Sequence, residues 1–264
     1  MRSWYRLLVL FLVSSPLPVV AQTLSCGDLK PATQAYRNGE YDKVFALLDP
    51  VIKADPTCSK ALLTRAAARY KAKNFGGAKE DYNQILKKDD KSSRAYGGRG
   101  IIYYEEGDLG RAESDFTKVI ELDPGNANAF FQRATARQRL GKIDEAIADW
   151  NTLLLIDPTG GNAVSANLDL ALLLFFKRKY SLALTSWQKA AELDSKSSEA
   201  LAGQAIAHFR MGQKEEADNA LKAALVLEPR YSSDPNWVLS NKDKGPGWNR
   251  IAADALRELL ATKP

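Results

Sequence analysis

Histidine is almost missing from this chain: His208 is the only one, and cysteine and methionine occur twice each. One imidazole cannot build a histidine-based metal site. A histidine-dependent hydrolase would rest on His208 alone, and no Ser, Cys or second His lies near it to form a nucleophilic pair. A basic stripe is also lacking. The 37 Lys and Arg against 32 Asp and Glu give a net charge of only +5, spread along the sequence, so nucleic acid is not an expected partner. Apolar runs are short; Leu7 to Val13 is an unbroken stretch of seven, too short for the ~30 Å of a bilayer core. Gly97-Gly98-Arg99-Gly100 lacks the Gly-Lys-Ser/Thr of a phosphate loop. Asp89-Asp90 and Glu105-Glu106 lack calcium-loop spacing. With 45% hydrophobic and 26% charged residues over 264 positions, the composition is globular. It excludes a disordered polymer, a collagen and a multi-span membrane protein.

The first 21 residues stand apart. Arg2 and Arg6 open the chain, the apolar run follows, Pro16 and Pro18 break any helix, and Val19-Val20-Ala21 ends the segment. That is the layout of a secretory signal peptide cleaved after Ala21. The prolines and the short run disfavour a membrane anchor, and Thr23-Leu24-Ser25 before Cys26 is a poor lipid-attachment signal. The mature chain would lose two positive charges, begin near Gln22 and reside outside the cytoplasm. In an oxidising compartment, pairing of Cys26 with Cys58 is favoured over two unpaired thiols. Closing that loop stabilises by roughly 3–4 kcal/mol in the chain-entropy model.

Internal repetition organises the rest. Val44, Ala78, Ala112, Ala146, Ala183 and Ala217 follow short turns at steps of 34, 34, 34, 37 and 34. Ala32, Ala66, Gly100, Ala134, Ala171 and Ala205 recur at the same steps, as do Pro56, Asp90, Pro124, Pro158, Ser195 and Pro229. Each unit reads as a helix ending at a turn, often at Gly, and a second helix ending before Pro. Small residues let the two helices approach, and Phe116, Trp150 or Trp187 fills the remaining space. One such hairpin cannot bury its apolar faces; a stack can. After residue 231, Pro235, Gly245, Pro246 and Gly247 mark a loop over 232–247, with a short helical turn expected at Pro235–Leu239. Trp248, Ile251, Ala252, Ala255, Leu256, Leu259 and Leu260 then share one helical face, expected to cap the last repeat.

The chain resembles the tetratricopeptide-repeat family. Its small residues at positions eight and twenty, aromatic near twenty-four and Pro at thirty-two are matched best by Gly100, Ala112, Phe116 and Pro124, then Ala134, Ala146, Trp150 and Pro158. Six units tile 25–58, 59–92, 93–126, 127–160, 164–197 and 198–231, inside a repeat domain spanning 22–231 and followed by a capping helix over 248–264. Departures are local: Val44 replaces Ala, units two and five lack the closing Pro, and Gly161-Asn162-Ala163 are extra residues expected to lengthen one inter-repeat loop. The resemblance implies an all-α right-handed superhelical solenoid. It also places Cys26 and Cys58 before neighbouring helices of like direction, where a disulfide would staple the end repeat.

The family's groove positions, carried over, give a ladder of Tyr36, Tyr70, Tyr104, Gln138, Phe175 and Phe209, with Leu63 and Phe131 beside it. These rings either line a concave binding surface or pack between helices as core. Arg37, Lys60, Lys71, Arg94, Arg139 and Arg210 at groove positions outnumber Glu105 and Glu199, which suits a partner carrying acidic groups beside apolar anchors or is scattered solvated charge. The chaperone-binding carboxylate clamp is not matched, because Leu29 and Thr33 stand where Lys and Asn belong. Gly97 and Gly98 are expected to leave a pocket beside Tyr104. His208 reads as a satisfied packing or edge residue. The expected function is a non-catalytic scaffold of the cell envelope, periplasmic or secreted, that binds a protein or peptide in the groove; the alternative is a cell-wall glycan-binding or envelope assembly module. No cofactor, metal or membrane span after signal removal is expected. Mass spectrometry of the exported protein should find Gln22 at the mature N-terminus; an intact Met1 would refute cleavage.

Overall fold

In the computed structural model, residues 24–234 and 248–262 are described. The signal segment and the turn expected at Pro235–Leu239 lie outside them. The described residues form helices and no strand. In chain order these are α1 (Lys30–Arg37), α2 (Tyr41–Ala54), α3 (Ser59–Lys71), α4 (Phe75–Lys88), α5 (Ser93–Glu105), α6 (Leu109–Leu122), α7 (Ala127–Arg139), α8 (Ile143–Ile156), α9 (Ala163–Phe176), α10 (Tyr180–Leu193), α11 (Ser198–Arg210), α12 (Lys214–Leu227) and α13 (Trp248–Ala261), with a 3-10 turn at Pro229–Ser232.

Local chemistry sets the helix ends. Asn74, Asp108, Asn126 and Ser197 cap α4, α6, α7 and α11 by accepting from a backbone N–H three residues on. The turn inside each hairpin needs one left-handed residue: Gly39, Gly107, Gly141 and Gly212 supply it at φ of 76 to 81°. Lys73 and Arg178 adopt it at 61° and 57°, at a cost glycine avoids.

Helices pack antiparallel within each pair, and every pair packs on the next. The recurring small residues are the crossing points: Ala66, Ala134, Ala171 and Ala205 on first helices and Ala78, Ala112, Ala146, Ala183 and Ala217 on second helices are fully buried. The space beside them is filled by one large side chain per pair, Leu48, Tyr82, Phe116, Trp150, Trp187 and Leu221, all buried. Close fit extends to the next repeat. A Cβ on Gly98 would lie 2.3 Å from the Tyr82 ring, and one on Gly203 2.3 Å from the Trp187 ring. Gly98 therefore seats Tyr82, and its expected part in a groove pocket is corrected.

A second ladder holds repeats two to four. Arg65, Arg99 and Arg133 each grip a buried carboxylate of the same hairpin, Asp81, Asp115 and Asp149, through two N–H donors at 2.6–3.1 Å. The remaining Nη1 of each reaches back one repeat, to Asp49 (2.8 Å), Asn83 (2.6 Å) and Thr117 (3.2 Å). Asp115 holds the Arg99 cation above its usual pKa against the desolvation that opposes it. Planar bidentate pairing of this kind is specific to arginine.

Successive first helices touch, α1 with α3, α3 with α5, α5 with α7 and α9 with α11, more closely than second helices do. The stack therefore curves toward its odd-numbered helices, which line the concave face. The contact weakens from α7 to α9, where the extra residues lie. Gly161 and Asn162 lengthen the loop, as expected, while Ala163 begins α9.

The closing helix covers the last repeat, as expected, but does so through the inner helix α11 and extends to α9. α13 packs on α9 and α11 rather than following α12. Ala252, Ala255, Leu256 and Leu259 are buried, Leu260 partly so, but Ile251 is 37% exposed. The Trp248 side chain lies outside the described residues.

Asp115→Asn should cost about 3 kcal/mol, because it leaves the largely buried Arg99 without its counter-charge. Arg99→Leu combined with Asp115→Leu should cost less than the single change. Urea denaturation of the three proteins checks the order.

Candidate functional site

The concave face divides in two. Along α1, α3, α5 and α7 it is open. A shallow depression bordered by Gly27, Leu29, Thr33 and Arg37 leads into a cavity of about 250 Å³ lined by Cys26, Leu29, Thr33, Lys60, Leu63, Thr64 and Arg94. The next cavity, about 190 Å³, is lined by Arg94, Gly97, Ile101, Asn128 and Gln132 with Phe116 and Val119 at its floor. Arg94 borders both, so the hollows form one groove. Lys60 and Arg94 are exposed, and among the described residues neither is paired with a carboxylate. A Cβ on Gly97 would meet only Val119, at 3.7 Å. Gly97 thus opens space as expected, although Tyr104 is not on that cavity's wall.

The ring ladder is only partly a groove surface. Tyr36, Tyr70, Tyr104, Phe131 and Phe209 are half-buried. Tyr36 packs on Tyr41 with centroids 6.2 Å apart, Tyr70 stacks on Phe75 at 5.7 Å, and Phe131 meets Trp150 edge-on at 5.1 Å. Phe175 is 2% exposed, wedged against Tyr180 and Trp187 at 5.1 and 5.6 Å. It is a core residue, and so is the buried Gln138. The reason is shared: position twelve precedes the hairpin turn, where a ring folds onto the start of the second helix. Arg139 lies over Tyr104 at 4.8 Å, one repeat away, a cation–π contact that fixes both at the groove. The Tyr70 hydroxyl donates to Glu105 at 3.4 Å; burial and that carboxylate raise its pKa, so it stays a neutral donor. Phe209 carries Arg210 over its ring at 5.7 Å.

The remaining candidates are spoken for. His208 Nδ1 sits 2.7 Å from Gln213 Oε1 at the hairpin turn. Asp89 accepts from the Lys91 amide at 3.0 Å, and Glu106 pairs with Lys79 at 2.6 Å. Cys26 and Cys58 form a disulfide with Cα atoms 5.7 Å apart, joining the approach to α1 with the start of α3. Asp55 lies near both sulfurs, but bonded sulfurs offer no thiolate to a metal. Among the described residues no helix is long and apolar enough to cross a membrane.

Along α9 and α11 the same face is apolar and covered. Leu168, Leu172, Ala202 and Ile206 are buried there, whereas their counterparts Leu63, Ala67, Gly97, Ile101, Phe131 and Thr135 in repeats two to four are half-buried. α13 makes the difference.

Tetratricopeptide-repeat profiles match residues 93–126, 116–148 and 168–235, covering α5 to α7 and α9 to α12. The chain is a tetratricopeptide-repeat protein. Among curated proteins none matches the sequence. Solved structures share the fold of this repeat protein. The MamA protein aligns with a TM-score of 0.60 at 19% identity, over 66% of this chain and 94% of that one. YrrB, described as a TPR protein with an unusual peptide-binding site, aligns at 0.62 and 18%, over 69% and 92%. PilF of Pseudomonas aeruginosa aligns at 0.62 and 18%, over 75% and 89%. The family architecture is that of a scaffold for protein interactions, and helical hairpins stacked into a solenoid supply it here.

Residues 24–29 are held at the groove's entrance by the disulfide. In the Cys26→Ser, Cys58→Ser protein, amides of α1 and α2 should lose hydrogen-exchange protection while those of α5 to α8 keep theirs. Uniform loss of protection would contradict a local staple.

Proposed function

We propose that this protein is a non-catalytic scaffold, exported to the periplasm or beyond, which holds a peptide or protein partner along the open groove of α1, α3, α5 and α7. One observation carries the reading: Arg94, unpaired among the described residues, is shared by adjoining hollows whose other lining includes Lys60, the apolar Leu29, Leu63, Ile101 and Val119, and small polar groups. A segment with acidic groups beside apolar anchors satisfies both halves of that lining. YrrB, a protein of similar fold, has a peptide-binding site by its description. Export is supported by the sequence of residues 1–21 and agrees with the disulfide. Glycan binding would need free ring faces, and Tyr70 already stacks one of its own on Phe75 while Tyr36 packs tilted against Tyr41.

Selection of displayed peptides on the purified mature protein should enrich acidic sequences with aliphatic or aromatic anchors. Their affinity should fall as salt rises. Arg94→Glu should weaken them by roughly tenfold, equivalent to about 1.4 kcal/mol, and Gly97→Leu should weaken them with the fold intact. Affinity indifferent to salt and to both changes, or cosedimentation with cell-wall polymer instead of peptide capture, would refute the assignment.

A further inference from the structure

α13 is an amphipathic helix seated on the part of the concave face whose counterpart along α1 to α7 is open. It touches α9 and α11, the inner helices of the last two repeats, and has no comparable contact with α12, which precedes it in the chain. Its buried seam, Ala252, Ala255, Leu256 and Leu259, joins one cluster with Leu168, Leu172, Ala202 and Ile206. On the exposed side Glu258 accepts two hydrogen bonds from Arg210 at 2.7 and 3.0 Å. Arg210 lowers the Glu258 pKa, so the pair is charged at neutral pH. The contact thus has the composition of a helix-in-groove complex, with apolar anchors at i, i+3, i+4 and i+7 and one charge pair beside them.

The receiving surface is formed by the repeats themselves. α9 has 11 of its 14 residues buried, mostly apolar but including Asn167 and Asp169, while α5 and α7 bury fewer and leave their concave positions open. A helix buried on every side needs a partner on every side. α8, α10 and α11 cover the others and α13 covers the concave one. Within the repeats, hairpins are locked by Trp150 and Trp187. Among its described side chains, α13 contributes to its contact two fully buried leucines, small alanines and the partly buried Leu260, and a helix of 14 residues is marginal by itself.

We infer that the α9–α11 face is a helix-binding site whose resident occupant is α13, and that a partner presenting an amphipathic helix with an alanine–leucine seam and a carboxylate for Arg210 binds there by replacing it. This site is separate from the open groove along α1 to α7 and does not depend on what binds there.

A fluorescein-labelled peptide of residues 248–264 serves as the probe against the full chain. Leu256→Asp combined with Leu259→Asp dislodges the resident helix. The variant should bind the probe roughly tenfold or more tightly than the unaltered chain, because the occupied fraction no longer competes. A scrambled peptide should bind neither. In the unaltered chain, α13 amides should exchange with deuterium well before those of α9 and α11. Equal probe affinity in a variant that keeps its helical circular dichroism would overturn the inference. So would α13 amides protected as long as those of α9 and α11, whatever the variant does: the helix would then be a fixed cap.

Discussion

The structure depends on how closely two antiparallel helices can approach at two small residues. At Ala134 against Ala146, or Ala171 against Ala183, no side chain beyond a methyl stands at the crossing, and both members are fully buried. That approach brings Phe116, Trp150 or Trp187 against the facing helix, where each is buried and supplies the largest apolar contact of its hairpin. Where the following repeat must also pass close to the ring, glycine replaces a side chain altogether, as Gly98 does over Tyr82 and Gly203 over Trp187. The constant pitch follows, because each hairpin presents the next with nearly the same surface.

That constraint made the fold legible in the sequence. Small residues at steps of 34 and 37 have no local reason to recur, so their period reports helix crossings. The same period runs through Arg65, Arg99, Arg133 and Asp81, Asp115, Asp149, but a pattern of apolar residues contains no trace of the buried clamps they form. A cation and an anion repeating together at the fold's own period, 16 residues apart inside each unit, is the signal that identifies them. The groove was legible only in part. Lys60 and Arg94 stand at its hollows because inner-helix positions two point outward whatever their neighbours are. Position twelve beside the turn is different. Whether a ring there faces solvent depends on the residue that opens the second helix, and Tyr180 with Trp187 encloses Phe175. The placement of α13 was hidden for a related reason. Its spacing shows that one face must be covered and contains nothing about which surface does it.

The two halves of the concave face follow different chemistry. Repeats two to four stiffen their hairpins with arginine–carboxylate clamps, which leave their inner faces free for polar and charged groups. In repeats five and six the corresponding positions are Leu170 with Ser186 and Gln204 with Ala220. There the stack is held by apolar contact instead, and α9 has become too apolar to face water. The extra residues at 161–162 fall between these regimes, at the step where inner helices separate. A lengthened loop at that point allows the second half to turn its apolar face toward α13 without disturbing the pitch on either side.

End repeats of a solenoid lack one neighbour and fray first. The first repeat is the weaker end here: α1 has 8 residues where α3 has 13, and buries only Ala32 and Ala35. A covalent bond between Cys26 and Cys58 compensates by tying the chain ahead of α1 to the start of the second repeat. It also positions Gly27 and Leu29 at the hollow that holds Lys60 and Arg94. The staple that keeps the end repeat folded therefore also sets one wall of the groove. The disulfide thus supplies more than stability: without it, the cationic hollow would lose a side.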